Sequence, residues 1–135
     1  RNFFHEIRNI TSPVGFSDHH DRAHHDESIA QSQIWIQDHL SKSLSIPDLA
    51  AQFGMSTRTF NRRFIAATGS TPNSYLTETR MAFACDLLKN TDLPIVDVAS
   101  YSGYPEPSWF SSRFSQWSGN SPSAYRKTVR AKLFN

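Results

Sequence analysis

Apolar residues along this chain recur at three- and four-residue intervals and never alternate for long, so the pattern predicts helices throughout and no strand. Residues 1–26, with Pro13, Gly15 and a tract running from His19 to Asp26, read as a polar lead-in. A first helix is expected over Glu27–His39, with Ile29, Ile36 and Leu40 on one face and Trp35 beside it. Ser45-Ile46-Pro47-Asp48 opens the next: Ser45 can cap, Asp48 can return the bond, and Pro47 is tolerated in a first turn. That helix should end at Gly54, since glycine takes the left-handed closing position most easily. Ser56 then caps a helix over Thr57–Thr68 that stops at Gly69. Thr71-Pro72 starts a long connector helix to about Lys89, with Leu76, Arg80, Ala84, Leu87 and Leu88 as its inner stripe. Helices over Ile95–Ser102 and Pro107–Trp117 follow, separated at Gly103-Tyr104 and closed by Gly119. Ser121-Pro122 starts a last short helix through Tyr125, leading into a basic tail of Arg126, Lys127, Arg130 and Lys132.

The pattern also repeats. Leu44, Ile46, Asp48, Ala50 and Gly54 recur 49 residues later as Leu93, Ile95, Asp97, Ala99 and Gly103. From there the offset is 50, and Phe60, Arg63, Phe64, Gly69, Pro72 and Tyr75 recur as Phe110, Arg113, Phe114, Gly119, Pro122 and Tyr125. The extra residue falls in the turn just after the glycine, where an insertion is best tolerated. Each copy reads as a helix-turn-helix. A small alanine four residues before the glycine allows two helices to cross closely, and a phenylalanine pair at i and i+4 anchors the second of them inward. A chain carrying this unit twice suits a ligand that is itself periodic, and double-stranded DNA is the obvious one. The fold class expected is therefore all-α: a first helix-turn-helix subdomain over 27–72, a connector over 73–92, and a second helix-turn-helix subdomain with the basic tail over 93–135.

Charge sharpens this picture. The net charge is only +2, but residues 1–29 balance to −2, residues 30–76 to +2, residues 77–92 to −1 and residues 93–135 to +3. Both repeats are basic while the lead-in and connector are acidic, a patterning found in nucleic-acid binders. The face of the first reading helix opposite Phe60 and Phe64 presents Ser56, Thr57, Arg58, Asn61 and Arg62. Arginine matches the guanine edge and asparagine the adenine edge in a major groove.

These residues resemble the DNA-binding domain of the AraC/XylS family of bacterial transcription regulators. The resemblance is carried by Ile46-Pro47-Asp48-Leu49-Ala50-x3-Gly54-Met55-Ser56-x-Arg58-x-Phe60-x-Arg62-x-Phe64 and by Ala67-Thr68-Gly69-x2-Pro72-x2-Tyr75-Leu76. It continues through Arg80-x3-Ala84-x2-Leu87-Leu88, Ile95-x3-Ala99-x3-Gly103-Tyr104 and Phe110-x2-Arg113-Phe114-x4-Gly119-x2-Pro122-x2-Tyr125-Arg126. It implies seven helices in two subdomains, with one reading helix from each laid into successive major-groove faces about one turn apart. Carried over by position, the second reader would present Pro107, Ser108, Ser111 and Ser112, with Arg113 beside them toward a phosphate. This chain departs from the family there: the arginine usual in the second reader is Ser112, and the lysines usual after Phe114 are Ser115 and Gln116. The resemblance also implies RNA polymerase as a partner, a cytoplasmic setting, and a sensing domain N-terminal to this segment, which begins at Arg1 without a methionine. The stretch His25-Asp26-x2-Ile29-x3-Gln33-x-Trp35-Ile36 is similar to the segment that follows a DJ-1/PfpI-like domain in one branch of the family.

Other chemistry is thin. His20 and His24 stand four apart, a spacing that can hold a metal on a helix, but no cysteine or capped helix accompanies them. Cys85 is the only cysteine, which excludes a disulfide framework or a cysteine-based zinc site within one chain. Trp109, Trp117 and Arg80 read as packing or tethered structural residues. With no glycine-rich phosphate loop and no G-x-S-x-G, the sequence offers no catalytic residue, cofactor or metal site. No apolar run approaches the ~20 residues of a membrane span. The alternative of a different class is a helical protein-interaction or dimerisation module whose repeats bind a partner instead of DNA.

Overall fold

Local capping chemistry decides where the helices lie. The computed structural model describes residues 24–133, and among these the chain forms seven helices and no strand. They are α1 (Glu27–Asp38), α2 (Ile46–Gln52), α3 (Thr57–Thr68), α4 (Pro72–Asn90), α5 (Ile95–Tyr101), α6 (Pro107–Ser118) and α7 (Pro122–Leu133). Asp26 caps α1 by accepting from the Ile29 N–H, Ser45 caps α2 through the Asp48 N–H, and Ser56 caps α3 through the Thr59 N–H. These satisfy donors that a helix start otherwise leaves open. The return bond expected from Asp48 is absent among the described residues: only the Ser45 half of that box forms, at 3.3 Å. Asp48 is exposed, so water can serve its carboxylate as well as the backbone would.

The chain divides into two compact units, residues 24–79 and residues 80–133, with the boundary inside α4. Each unit has its own aromatic centre. In the first, Phe60 and Phe64 of α3 are fully buried with ring centroids 5.6 Å apart, and Phe64 meets the buried Tyr75 edge-on at 5.4 Å. In the second, Phe110 and Phe114 of α6 are 5.6 Å apart and Phe114 meets Tyr125 edge-on at 5.4 Å. Within the units α2 packs on α3 and α1 on α3, and α5 packs on α6 and α6 on α7.

The repeat survives down to single hydrogen bonds. The Met55 N–H donates to the Ala50 carbonyl at 2.9 Å, and the Tyr104 N–H donates to the Ala99 carbonyl at 2.8 Å. Gly54 and Gly103 also donate to Ala51 and Ser100, so both turns close as Schellman motifs with the glycine at positive φ, 73° and 95°. Ala50 and Ala99 are fully buried at the crossing. The extra residue of the second copy follows Tyr104, and there the copies diverge: Glu106 begins α6 without any side-chain cap, with Pro107 in the first turn instead.

Two sequence expectations need enlarging. The connector α4 is apolar well beyond a stripe, since Thr79, Arg80, Met81, Ala82, Phe83 and Ala84 are all buried in succession. Over that stretch no single buried face remains for a periodicity argument to find. The last helix is also not short: α7 runs 12 residues, and the basic tail is part of it. The histidine expectation at His20 lies outside the described residues. His24 has both ring nitrogens engaged, Nδ1 accepting from the Asp26 N–H at 3.2 Å and Nε2 bonded to Gln33 at 2.9 Å.

Candidate nucleic-acid interface

The outward face of α3 follows from which residues its core takes. Phe60, Phe64 and Thr68 are buried, which at 3.6 residues per turn turns Arg58, Arg62, Ile65 and Ala66 outward. Arg58 and Arg62 are exposed and form no ion pair among the described residues, so their guanidiniums are available to an outside acceptor. Asn61 and Thr57 are half-buried on the flank of this face. Ser56 is exposed, but its hydroxyl oxygen accepts the Thr59 N–H at 3.2 Å. Its first task is thus to hold the helix start, which leaves its O–H proton for a contact.

Arg63, the next residue, is engaged internally. Its Nε donates to Asp26 Oδ2 at 2.9 Å and its Nη2 to Oδ1 at 2.7 Å, a two-pronged pair between the start of α1 and the reading helix. The guanidinium beside Asp26 holds that carboxyl below its ordinary range. One carboxylate therefore caps α1 and ties α1 to α3. A bidentate guanidinium–carboxylate pair fixes orientation as well as distance.

The corresponding face of α6 is short-chained. Ser108, Ser112 and Arg113 are exposed, Pro107 and Ser111 half-buried, and Phe110 and Phe114 turn inward. Arg113 occupies the position of Arg63 in the repeat yet forms no ion pair among the described residues. It is the long cation that this face offers. Trp109 packs against the buried Tyr104, as expected of it, yet remains 49% exposed.

The basic tail is also reshaped. Arg126 turns inward and donates from Nε to the Leu88 carbonyl at 2.9 Å, from Nη1 to Leu93 at 2.7 Å and from Nη2 to Thr91 at 3.1 Å. Those carbonyls lie at and just beyond the end of α4, where helix acceptors are otherwise unmet. Arg130 donates to the Thr91 carbonyl and pairs with Asp92 at 2.7 Å, which lowers the Asp92 carboxyl pKa. Only Lys127 and Lys132 of the four tail cations stand exposed and unpaired among the described residues. Burial pushes the Cys85 thiol up to about 11, so it stays protonated near neutral pH.

Residues 49–128, more than half of the chain, match a family model described as a helix-turn-helix domain. The MmsAB operon regulatory protein of Pseudomonas aeruginosa is 36% identical over 96 residues, which cover 71% of this chain and 31% of that protein. The transcriptional activator RhaS of Klebsiella pneumoniae is 34% identical over 89 residues, covering 66% of this chain and 32% of that protein. The chain thus spans about a third of the length of these relatives. Among solved structures, the DNA-binding domain of the transcriptional factor AdpA, in complex with a target DNA, has a TM-score of 0.75 at 36% identity. That match covers 79% of this chain and 96% of the other.

Proposed function

Because the chain belongs to the AraC/XylS type of helix-turn-helix family, we propose that it binds double-stranded DNA sequence-specifically. In this reading α3 and α6 lie in successive major-groove faces, as the output segment of a bacterial transcription regulator acting in the cytoplasm. The observation that carries it is the outward face of α3, where two arginines with no ion pair among the described residues follow a turn that the second unit copies bond for bond. Arg62 and Arg58 take guanine edges and Asn61 an adenine edge. Ser56 and Thr57 sit at the start of α3, where helix N–H groups and the dipole favour a phosphate. In the second unit Pro107, Ser108, Ser111 and Ser112 make short contacts, and Arg113 holds a phosphate. Lys127 and Lys132 add attraction that is independent of sequence. Residues 27–72 and 93–135 serve as the two DNA-binding subdomains and 73–92 as their connector. RNA polymerase and an effector-sensing domain complete the regulator.

Salt dependence tests this reading against a helical module that binds a protein partner. Affinity for a DNA duplex should fall with a log–log slope of about −0.9 per phosphate neutralised. With Arg113, Lys127 and Lys132 as the phosphate partners, this means a loss of about 40-fold between about 50 and about 200 mM salt. Fluorescence anisotropy of a labelled duplex measures it. A flat salt profile, or no binding even at low salt, would overturn the proposal.

A further inference from the structure

We propose that Trp109 is a DNA-contacting residue of the second reader, its indole resting on apolar groups of the major groove, the thymine C5 methyl or deoxyribose carbons. The inference rests on the reading of α6 as a groove-facing helix and supplies what its serine face lacks.

Trp109 is the third residue of α6 and is 49% exposed, although it adjoins the fully buried Phe110. Its position is nonetheless defined. Its ring meets Tyr104 in a T-shaped contact, with centroids 5.0 Å apart and planes at 80°. Tyr104 is itself buried, with its ring centroid 5.6 Å from that of Phe110 and the Arg80 guanidinium carbon over its ring at 5.6 Å. The indole is thus backed by a fixed aromatic layer while much of its surface is left to solvent. An indole half in water forgoes the gain of burial, and a partner that covers it recovers that gain.

Placement on the helix decides what it faces. At 3.6 residues per turn Trp109 lies about 60° around α6 from Ser112 and about 40° from Arg113. Ser108, Ser112 and Arg113, its neighbours on that side, are all exposed. Trp117, about 80° around from Trp109 and about two turns further along the helix, meets Phe114 at 6.0 Å. The equivalent position in the first reader is Thr59, half-buried and small. The first reader therefore approaches its groove with two arginines, and the second with one broad apolar ring and one arginine. The major groove offers an apolar target in the thymine methyl, and a rigid aromatic loses little side-chain freedom on contact.

The test begins with Trp35→Phe/Trp117→Phe, which leaves Trp109 as the chain's one tryptophan. Adding a duplex selected for binding should change its emission in step with the anisotropy of the labelled duplex. Trp109→Ala should weaken binding by about 10- to 50-fold, from the apolar area left uncovered, with Trp109→Phe recovering part of that loss. Circular dichroism confirms that each variant keeps its helices. Thymine-to-uracil replacement in the second half-site separates the two sources of apolar contact. If uracil weakens wild type but not Trp109→Ala, the methyl is the contact; if uracil changes neither, the deoxyribose carbons are. Unchanged emission together with unchanged affinity of Trp109→Ala, on a duplex the wild type binds, would overturn the proposal. Failure of the wild type to bind any duplex is a separate result, which removes the DNA reading itself and this contact with it.

Discussion

Phe114→Ala is expected to destabilise the protein by about 3–5 kcal/mol, the range for removing a buried aromatic ring. Phe114 has no exposed surface, and its ring meets Phe110 at 5.6 Å, Tyr125 at 5.4 Å and Trp117 at 6.0 Å. It joins α6 to α7, and few of its neighbours can move to fill the space. Burial raises the pKa of the Tyr125 hydroxyl, and the half-buried Cys85 thiol beside it adds to the rise. Urea or thermal unfolding monitored by circular dichroism measures the loss. A change under about 1 kcal/mol, within the range of surface substitutions, would mean that the aromatic cluster does not hold the second reader in place.

Arg62→Ala should leave stability nearly unchanged and weaken binding to a selected operator by about 1–3 kcal/mol, relaxing specificity at one base pair. Arg62 is exposed at the middle of α3 and forms no ion pair among the described residues, so the fold loses little with it. Arg63 provides the contrast: removing it would break the pair with Asp26 and confound binding with packing. Anisotropy titrations against the operator and against single-base variants read both affinity and specificity. Equal loss on every sequence would make Arg62 a phosphate contact, and no loss would remove it from the reader.

The helix boundaries were legible because they are local. Ser56, Gly69, Pro72 and Gly119 act on backbone groups within a few residues of themselves, and the observed ends of α3 and α4 fall at or next to the predicted ones. The outward position of Arg58 and Arg62 was equally legible, since the i,i+4 phenylalanine pair fixes the opposite face. Hidden from the sequence were contacts between distant residues. Asp26 and Arg63 are 37 positions apart, and Arg130 and Asp92 are 38 apart. No periodicity links such partners, so a count of basic residues could not separate engaged cations from available ones. That is why the tail looked like four available cations when two of them fasten the end of α4. The exposure of Trp109 was hidden for a related reason. A tryptophan next to a buried phenylalanine reads as core until the contact with Tyr104 is seen to leave half of it exposed.

The claim on which the rest depends is that both units read DNA, and selection of bound duplexes from a random pool of ~25 base pairs tests it most directly. The expected result is two enriched motifs separated by one helical turn, about 10 base pairs, with the stronger preference in the half read by Arg58, Asn61 and Arg62. A single motif would contradict the two-reader claim, and no enrichment at low salt would contradict DNA binding altogether.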